Sequence, residues 1–267
     1  MTPENPGTAT FQLPLHKQFS LEGHTALVTG SSTGLGKAIA MNLGAAGAKV
    51  ALNYRNNTDR AERAFAEFQE AGYAGKLVRG SAVDESEIES MFREVESRLG
   101  PVDILVANAT PAQPQRPIEE YDWDFYQQML DFFVKSPYYL ARAALPKMKS
   151  QRWGRIINIG SEVVQRGVGN FSAYVAAKGA QDGWTRSMAT ELAPHNITVN
   201  IVCPGWIPVE RHEDDPQEVK DGYRSLIPMD RWGVPRDVGG AVTFLASDAA
   251  SFITGQNIHV NGGMTVG

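Results

Sequence analysis

The amino-acid sequence predicts a single doubly wound α/β domain, in which a parallel seven-stranded sheet carries helices on both faces. The first observation is an alternation of short apolar, β-rich runs with longer stretches of helical periodicity. Right-handed crossovers place the intervening helices on both sides of such a sheet. The second observation is the composition: 267 residues with 42% hydrophobic and 21% charged residues suit one large domain with a sizeable core.

The elements follow in a regular order. Predicted strands occupy residues 25–30, 49–54, 76–81, 103–108, 155–160, 197–202 and 257–260. Predicted helices occupy residues 35–46, 58–71, 85–99, 119–150, 172–193 and 235–247. Residues 1–20 contain three prolines and are expected to form an extended N-terminal arm before a domain at 21–267. Both a disordered tail and a segment packed on a neighbouring subunit remain open for this arm.

Charge and cysteine content exclude several classes of protein. The formal net charge is −5 and basic residues are scattered, which argues against nucleic acid or an anionic membrane as a partner. The N-terminus does not resemble a secretory signal and no apolar run reaches membrane-spanning length, so we expect a soluble, cytoplasmic protein. The single cysteine, Cys203, excludes an internal disulfide and a cysteine-based zinc site, and we expect no metal.

A glycine-rich turn follows the first predicted strand. Gly30, Gly34 and Gly36 lie in TGSSTGLG, between that strand and the next helix. Tight turning and close backbone approach both favour residues without a Cβ. A pyrophosphate fits at such a helix N-terminus, which predicts a Rossmann-type dinucleotide-binding domain.

The end of the second predicted strand bears on the choice of dinucleotide. An acidic residue there would bind the ribose 2′-hydroxyl, whereas a basic residue would favour a 2′-phosphate. The sequence reads ALNYRNN, with Arg55 and no carboxylate before Asp59. We therefore expect NADP to be preferred, with NAD possible if Arg55 is only a solvated surface residue.

Tyr174 and Lys178 are four residues apart in the helical stretch SAYVAAKGAQ, so their side chains share one helix face. The pair could be incidental. A free tyrosine, with a pKa of about 10, is a poor base at neutral pH, but a neighbouring cation stabilises its phenolate. The spacing therefore suggests a general acid/base, and Ser161 lies at the end of the preceding predicted strand.

Together these motifs resemble the short-chain dehydrogenase/reductase family from about Leu21 to Gly263. The matching segments are TGSSTGLG, NA at 108–109, IINIGS, YVAAK, NIVCPG and ITGQNIHVNGG. Within the family the sequence is most similar to bacterial glucose 1-dehydrogenases and 3-oxoacyl carrier-protein reductases. The resemblance implies an NADP- or NAD-dependent oxidoreductase that acts on a secondary alcohol or carbonyl, and it also implies a homotetramer.

The resemblance also implies roles for individual residues. Ser161, Tyr174 and Lys178 would be catalytic, with Lys178 lowering the pKa of Tyr174 and binding the nicotinamide ribose. The implied cofactor-binding residues are Gly30, Ser31, Ser32, Leu35, Gly36, Arg55, Ala82, Asn108, Ala109, Tyr174, Lys178, Gly205 and Ile207.

Three residues depart from the family pattern. Phe133 stands where an asparagine usually helps to hold a water that relays protons from the lysine to solvent. Thr110 replaces a glycine beside the cofactor, and Ser81 replaces an aspartate that usually contacts adenine. These changes suggest altered kinetics or a reshaped pocket.

The resemblance places the substrate at a variable loop at about 206–233. The charges of this loop leave a second interpretation open, in which it is a solvated lid without direct substrate contact. The implied substrate-binding residues are Ser161, Glu162, Trp206, Arg211 and His212. Aromatic, guanidinium and carboxylate groups around one pocket suit a sugar, sugar acid or polyol. Two alternatives remain open: a 3-oxoacyl carrier-protein reductase, which would need a basic docking patch, and a cofactor-binding protein with little or no turnover.

Overall fold

The computed structural model of the protein describes residues 14–266. Its strands form one seven-stranded sheet in the order β3-β2-β1-β4-β5-β6-β7, and every neighbouring pair is parallel. The predicted fold class is therefore confirmed. The strands are β1 (Thr25–Val28), β2 (Lys49–Tyr54), β3 (Gly75–Arg79), β4 (Ile104–Ala107), β5 (Gly154–Ile159), β6 (Ile197–Pro204) and β7 (Asn257–Val260).

Helices separate the strands along the chain and cover both faces of the sheet. They are α1 (Leu15–Gln18), α2 (Gly34–Ala45), α3 (Thr58–Glu70), α4 (Glu85–Leu99), α5 (Trp123–Leu130), α6 (Ser136–Gln151), α7 (Val163–Arg166), α8 (Ser172–Leu192), α9 (Gln217–Arg224) and α10 (Pro235–Ala246). None of the helices in residues 14–266 is long and apolar enough to cross a membrane.

Two apolar layers hold the sheet between the helices. One layer packs the sheet against α2, α3 and α10, and includes Ile39 and Val242. The other packs the opposite face against α4, α6 and α8, and includes Ile88 and Leu140. Every residue of β1, β4, β5 and β6 is buried, as expected for a parallel sheet covered on both faces.

The helix predicted over residues 119–150 is wrong as a single element. Residues Ile118–Glu120 form a 3-10 turn, α5 begins at Trp123, and a π-helical turn at Asp131–Lys135 separates α5 from α6. A π-turn widens the helix locally and is set by packing more than by propensity. Here Phe133 packs edge-to-face on Tyr174, with ring centroids 5.3 Å apart.

The described end of the predicted N-terminal arm, residues 14–20, is not fully extended. It contains one helical turn at Leu15–Gln18, and Phe19 contacts the ring of Phe244 on α10. Residues 1–13, which make up most of the predicted arm, lie outside the described residues. Leu21 is fully buried, and its backbone N–H donates to Ala46 O at 2.8 Å.

The strand order reverses between β1 and β4. From β1 the chain adds β2 and β3 on one side of the sheet, and from β4 it adds β5, β6 and β7 on the other side. In open α/β sheets the loops at such a point separate, and a crevice forms beyond the carboxyl ends of the strands. The glycine turn after β1 and the segment at Asn108 after β4 flank this crevice. It is the place where the predicted cofactor residues have to meet.

Candidate active site

The glycine turn is shaped by close backbone contacts that exclude larger residues. A Cβ on Gly36 would lie 2.4 Å from Gly30 O and 2.5 Å from Asn108 Nδ2. Gly30 has a φ of +63°, and a Cβ there would approach Ala109 Cα to 3.0 Å. The backbone of the turn therefore stays open beside the N-terminus of α2, a geometry that accommodates a dinucleotide pyrophosphate.

Hydrogen bonds fix the turn against the neighbouring strands. The Thr29 Oγ1 atom accepts from the backbone N–H of Asn108 at 2.9 Å and of Ala109 at 3.0 Å. The Asn108 side chain in turn donates to Thr29 O at 2.8 Å. The two edges of the crevice are thus joined directly, and the predicted cofactor residues Gly30, Gly36, Asn108 and Ala109 lie together.

Asn53 joins the same turn to β2 and β3. Its Oδ1 accepts from Gly30 N–H at 3.1 Å, and its Nδ2 donates to Gly80 O at 3.0 Å. The Ser31 hydroxyl also bonds to this segment, accepting from Asn53 N–H at 2.9 Å. With the side chain of Asn53 only 2% exposed, these bonds satisfy an otherwise costly buried amide.

The remaining predicted cofactor residues line the same edge of the sheet. Ser32 and Leu35 belong to the glycine turn and α2, and Ala82 follows β3 and is buried. Gly205 and Ile207 follow β6, and Ile207 packs into the apolar layer. Arg55 is exposed at the end of β2, where Arg79 Nε donates to Arg55 O at 3.1 Å. Two guanidinium groups therefore stand near the end of β2.

The carboxylate of Glu210 contacts the glycine turn. Glu210 Oε2 accepts from the backbone N–H of Gly34 at 3.1 Å. Partial burial opposes ionisation of Glu210, but hydrogen bonds from its own backbone, Thr33 and Gly34 together hold the pKa of its carboxyl below the usual value. Glu210 therefore carries its negative charge where an anionic ligand would bind.

The predicted catalytic residues meet at the ends of β5 and α8. Ser161 follows β5, while Tyr174 and Lys178 lie one turn apart near the start of α8. Lys178 Nζ lies 5.6 Å from the centre of the Tyr174 ring. The Ser161 hydroxyl lies close enough to the Tyr174 phenol to favour its ionised form. The structure thus brings the three side chains to one point.

Burial, rather than the lysine, dominates the acidity of Tyr174 in this structure. The ring keeps partial exposure, but burial of the phenol raises the pKa of Tyr174 to about 12, opposed by Ser161 and by the positive charge of Arg211. Burial also lowers the pKa of Lys178 to about 7. Lys178 is not among the described residues that shift the pKa of Tyr174, so the expected lowering of the phenol pKa by Lys178 stays a prediction.

The aromatic ring of Phe133 faces the lysine directly. Lys178 Nζ lies 3.7 Å from the ring centroid of Phe133, which is 2% exposed. The ammonium donates instead to Ile159 O at 2.5 Å and to Gln181 Oε1 at 3.1 Å. The departure noted at Phe133 is thus part of the lysine's environment, not a remote change.

The other two departures are less central. Ser81 is buried, and its backbone N–H donates to Glu87 Oε2 at 2.8 Å, so the backbone at this position is held by α4. Thr110 is exposed, and its hydroxyl donates to Pro111 O at 3.3 Å.

Glu162 is more deeply buried than a substrate-contacting carboxylate needs to be. Its Oε1 accepts from Arg166 NH1 at 2.9 Å and from the Tyr223 hydroxyl at 2.5 Å, whereas its Oε2 has no partner among the described residues. The Tyr223 oxygen also accepts from Trp206 N–H at 2.6 Å. Glu162 thereby ties α9 to the end of β5.

Aromatic rings build the inner wall of the loop over residues 206–233. Trp206 contacts Tyr223, Trp232 and His212, with ring centroids 5.2, 5.7 and 5.7 Å apart. A cavity of about 460 Å³ lies beneath this wall and is also lined by Arg231 and His259. Of the predicted substrate residues, Trp206 lines this cavity.

Arg211 and His212 occupy a 3-10 turn of the same loop. Arg211 is exposed, yet its charge favours ionisation of Tyr174. The backbone N–H of Val209 and the Nε of Arg211 each lie 3.1 Å from a ring nitrogen of His212. A neutral imidazole accepts at one nitrogen only, so the two donors compete for it.

Three site residues were missed by sequence reasoning. Asn53 was passed over as part of a strand, although an amide in the buried strand KVALNY signals a hydrogen-bonding role. Gln181 lies three residues after Lys178 and so on a neighbouring helical position. Tyr223 is an aromatic residue within a highly charged loop. An isolated aromatic residue in such a loop indicates a side chain that packs inward.

Comparisons with known proteins agree with this geometry. A protein family described as enoyl-(acyl carrier protein) reductase matches residues 30–265. A 3-oxoacyl-[acyl-carrier-protein] reductase from Staphylococcus aureus is 39% identical over 242 residues, which are 90% of this chain and 97% of that protein. A 2-dehydro-3-deoxy-D-gluconate 5-dehydrogenase from Formosa agariphila is 33% identical over 249 residues, 92% of this chain and 94% of that protein.

A solved structure resembles the chain in three dimensions as well. It is a gluconate 5-dehydrogenase from Burkholderia cenocepacia in complex with NADP and tartrate, 30% identical, with a TM-score of 0.86. The match covers 93% of this chain and 98% of that chain, so it extends over the whole sheet and its loops.

Proposed function

Because the chain belongs to the short-chain dehydrogenase/reductase family, we propose that it interconverts a secondary alcohol and a carbonyl of a sugar acid with NADP(H). Family membership makes it an NAD(P)-dependent oxidoreductase that acts on hydroxyl and carbonyl groups. The choice of substrate and of NADP over NAD goes beyond the family. The observation that carries the proposal is the convergence of Ser161, Tyr174 and Lys178, with the positive charge of Arg211 acting on the Tyr174 phenol.

A nicotinamide cofactor, when bound, would supply or accept the hydride. In the oxidative direction Tyr174, as the phenolate, removes the hydroxyl proton while the hydride leaves the same carbinol carbon. In the reductive direction Tyr174 returns that proton to the carbonyl oxygen. Ser161 donates a hydrogen bond to the substrate oxygen and so holds it against the phenol. Lys178, kept beside Tyr174 on α8, stabilises the phenolate when it is protonated.

Arg211 favours an acidic substrate. Its guanidinium is solvent-accessible, and its charge already acts on the Tyr174 phenol. A carboxylate on the substrate would find a bidentate partner there. The names of two relatives point the same way, since one is a gluconate 5-dehydrogenase and another acts on 2-dehydro-3-deoxy-D-gluconate.

Arg55 and Arg79 support NADP as the preferred cofactor. They stand near the ends of two paired strands, where a 2′-phosphate on the adenosine ribose would lie. The related gluconate 5-dehydrogenase was solved with NADP bound. NAD stays possible at lower affinity, because neither guanidinium would clash with a 2′-hydroxyl.

The proposal is tested by a substrate panel followed at 340 nm with each cofactor in turn. D-gluconate, D-glucose, sorbitol and ethyl acetoacetate represent the sugar acids, sugars, polyols and β-keto esters. We expect the highest kcat/KM with the sugar acid and NADP.

Two results would redirect the proposal. Faster reduction of the β-keto ester would favour a 3-oxoacyl carrier-protein reductase, the function of the Staphylococcus aureus relative. NADP binding without turnover of any panel member would favour a cofactor-binding protein with little activity, an outcome that family membership argues against.

We further propose a cytoplasmic homotetramer. Ala176, Ala180 and Gly183 present small, exposed side chains at helical spacing on α8, which suits close approach of a second helix. A buried free thiol at Cys203 suits a reducing compartment. Light scattering tests the assembly, and a mass near that of one 29.1 kDa chain would contradict it.

A further inference from the structure

Among residues 14–266, Lys178 donates to acceptors on two of the elements around it. The residue is 4% exposed, so its ammonium depends on protein atoms for hydrogen bonds. Its Nζ donates to Ile159 O on β5 at 2.5 Å and to Gln181 Oε1, one turn along α8, at 3.1 Å. The first acceptor is backbone and cannot be lost by substitution. The second is a side chain.

The third side of the lysine is closed by an aromatic face. Phe133, on the π-turn, places its ring centroid 3.7 Å from Nζ. A ring face attracts a cation, but it offers no lone pair that would fix the direction of an N–H bond. Hydrogen bonding to the ammonium therefore falls to Ile159 and Gln181.

Gln181 is itself held as part of a buried chain of polar groups. It is 1% exposed, and the hydroxyl of Thr185 donates to its backbone oxygen at 2.8 Å. The Asn158 side chain, on β5, donates in turn to Thr185 Oγ1 at 2.9 Å. Burying a glutamine amide is costly unless it is bonded, and Lys178 is the hydrogen-bond partner of its oxygen.

We propose that Gln181 is a positioning residue, which holds the Lys178 ammonium against Tyr174 and supplies the polar contact that Phe133 cannot give. It acts through Lys178, and it touches neither the substrate nor the reacting atoms. The inference rests on the proposed function, because Lys178 matters to catalysis only if Tyr174 exchanges the proton.

The charge state of Lys178 is the quantity that Gln181 controls. The acceptor oxygen stabilises the ammonium and opposes the desolvation that lowers the pKa of Lys178 to about 7. The titratable groups around Lys178 are Tyr174 on α8 and the Cys203 thiol on β6. Burial raises the pKa of Cys203 to about 11, so this thiol is neutral near pH 7. On the π-turn, Asp131 and Lys135 pair with each other at 3.3 Å.

The direct measurement is the titration midpoint of Lys178, followed by the 13Cε chemical shift in lysine-labelled protein. A Lys178→Met variant assigns the signal. Gln181→Met keeps the length of the side chain and removes the acceptor, whereas Gln181→Glu keeps the oxygen and adds a negative charge. Gln69→Met, at an exposed position on α3, is the matched control.

We expect Gln181→Met to lower the Lys178 midpoint by about one pH unit and Gln181→Glu to raise it by a similar amount. Gln69→Met should leave it unchanged. For oxidation of the best panel substrate, the acidic limb of the profile of kcat against pH should move to higher pH in Gln181→Met, because less ammonium remains to stabilise the phenolate. Thermal denaturation shows whether each variant folds. If Gln181→Met does not fold, the shift of the Lys178 midpoint in Gln181→Glu still tests the proposal.

Unchanged Lys178 midpoints in the folded Gln181 variants would overturn the inference, whatever the turnover. The titration needs neither substrate nor cofactor, so it separates this result from a failure of the proposed function. That failure would appear as full turnover in Tyr174→Phe.

Discussion

The turn after β1 and the loop after β6 lie at the same edge of the sheet, but they are held in different ways. The turn is fixed by backbone contacts at Gly36 and by hydrogen bonds to Asn53 and Asn108. The loop is held by side chains, namely the rings around Trp206 and the bond between Tyr223 and Glu162. The predicted cofactor region is thus shaped by steric exclusion, and the predicted substrate region by side-chain packing.

This difference indicates what each region tolerates. The turn accepts almost no change at Gly30 and Gly36, because the nearest atom that a Cβ would meet at each position is main chain. A side-chain wall tolerates substitution and changes its shape, which is how one fold serves many substrates. Substitutions in the turn should therefore weaken cofactor binding strongly, whereas substitutions in the loop should change the cofactor affinity only slightly.

The largest effect on cofactor binding is expected from Gly36→Ala. Its Cβ would lie 2.4 Å from Gly30 O, so the backbone of the turn has to move. We expect the affinity for NADPH to fall about 100-fold, measured by fluorescence titration. Gly240→Ala is the matched control, since a Cβ on this exposed α10 residue meets nothing within 4 Å. Equal affinities in the two variants would show that the turn does not bind the cofactor.

A smaller effect is expected from Arg55→Ala at the ribose end of the cradle. Loss of a charge-assisted contact to the 2′-phosphate should raise the KM for NADP about tenfold and leave the KM for NAD nearly unchanged. Arg63→Ala removes an exposed charge from α3 and serves as the control. A clear preference of the unmodified protein for NAD would contradict the assignment of Arg55.

The smallest effect is expected where the loop touches the turn. Glu210 places a carboxylate on the Gly34 N–H, where it competes with the anionic cofactor. Glu210→Gln should therefore tighten NADPH binding by about threefold, because an exposed charge contributes little in water. Glu213→Gln, on the same loop, is the control. Unchanged or weaker binding in Glu210→Gln would mean that the contact does not oppose the cofactor.

Much of the fold was predictable because short apolar runs in the local sequence indicate buried parallel strands. The runs KVALNY and NIHV match β2 and β7 residue for residue, and the glycine turn lies where its motif placed it. Such elements depend on neighbouring residues and on the period of the apolar pattern. The contacts between Asn108 and Gly30 follow once the strand order is known.

The features that the sequence did not predict depend on contacts between residues that are distant in sequence. The π-turn at Asp131–Lys135 contains Phe133, which packs on Tyr174, a contact between two elements that helical propensity does not record. The raised pKa of Tyr174 arises from burial, which a four-residue spacing cannot reveal. Glu162 illustrates the same limit, because its partner Tyr223 lies 61 positions away.

The most direct test of the central claim compares Tyr174→Phe with the unmodified protein in two assays. Phenylalanine keeps the ring packing against Phe133 and removes only the hydroxyl that exchanges the proton. We predict that NADPH affinity, set by the turn after β1, stays within about twofold while kcat with the best panel substrate falls at least about 1,000-fold. Turnover close to that of the unmodified protein would contradict the assignment of Tyr174 as the catalytic acid/base.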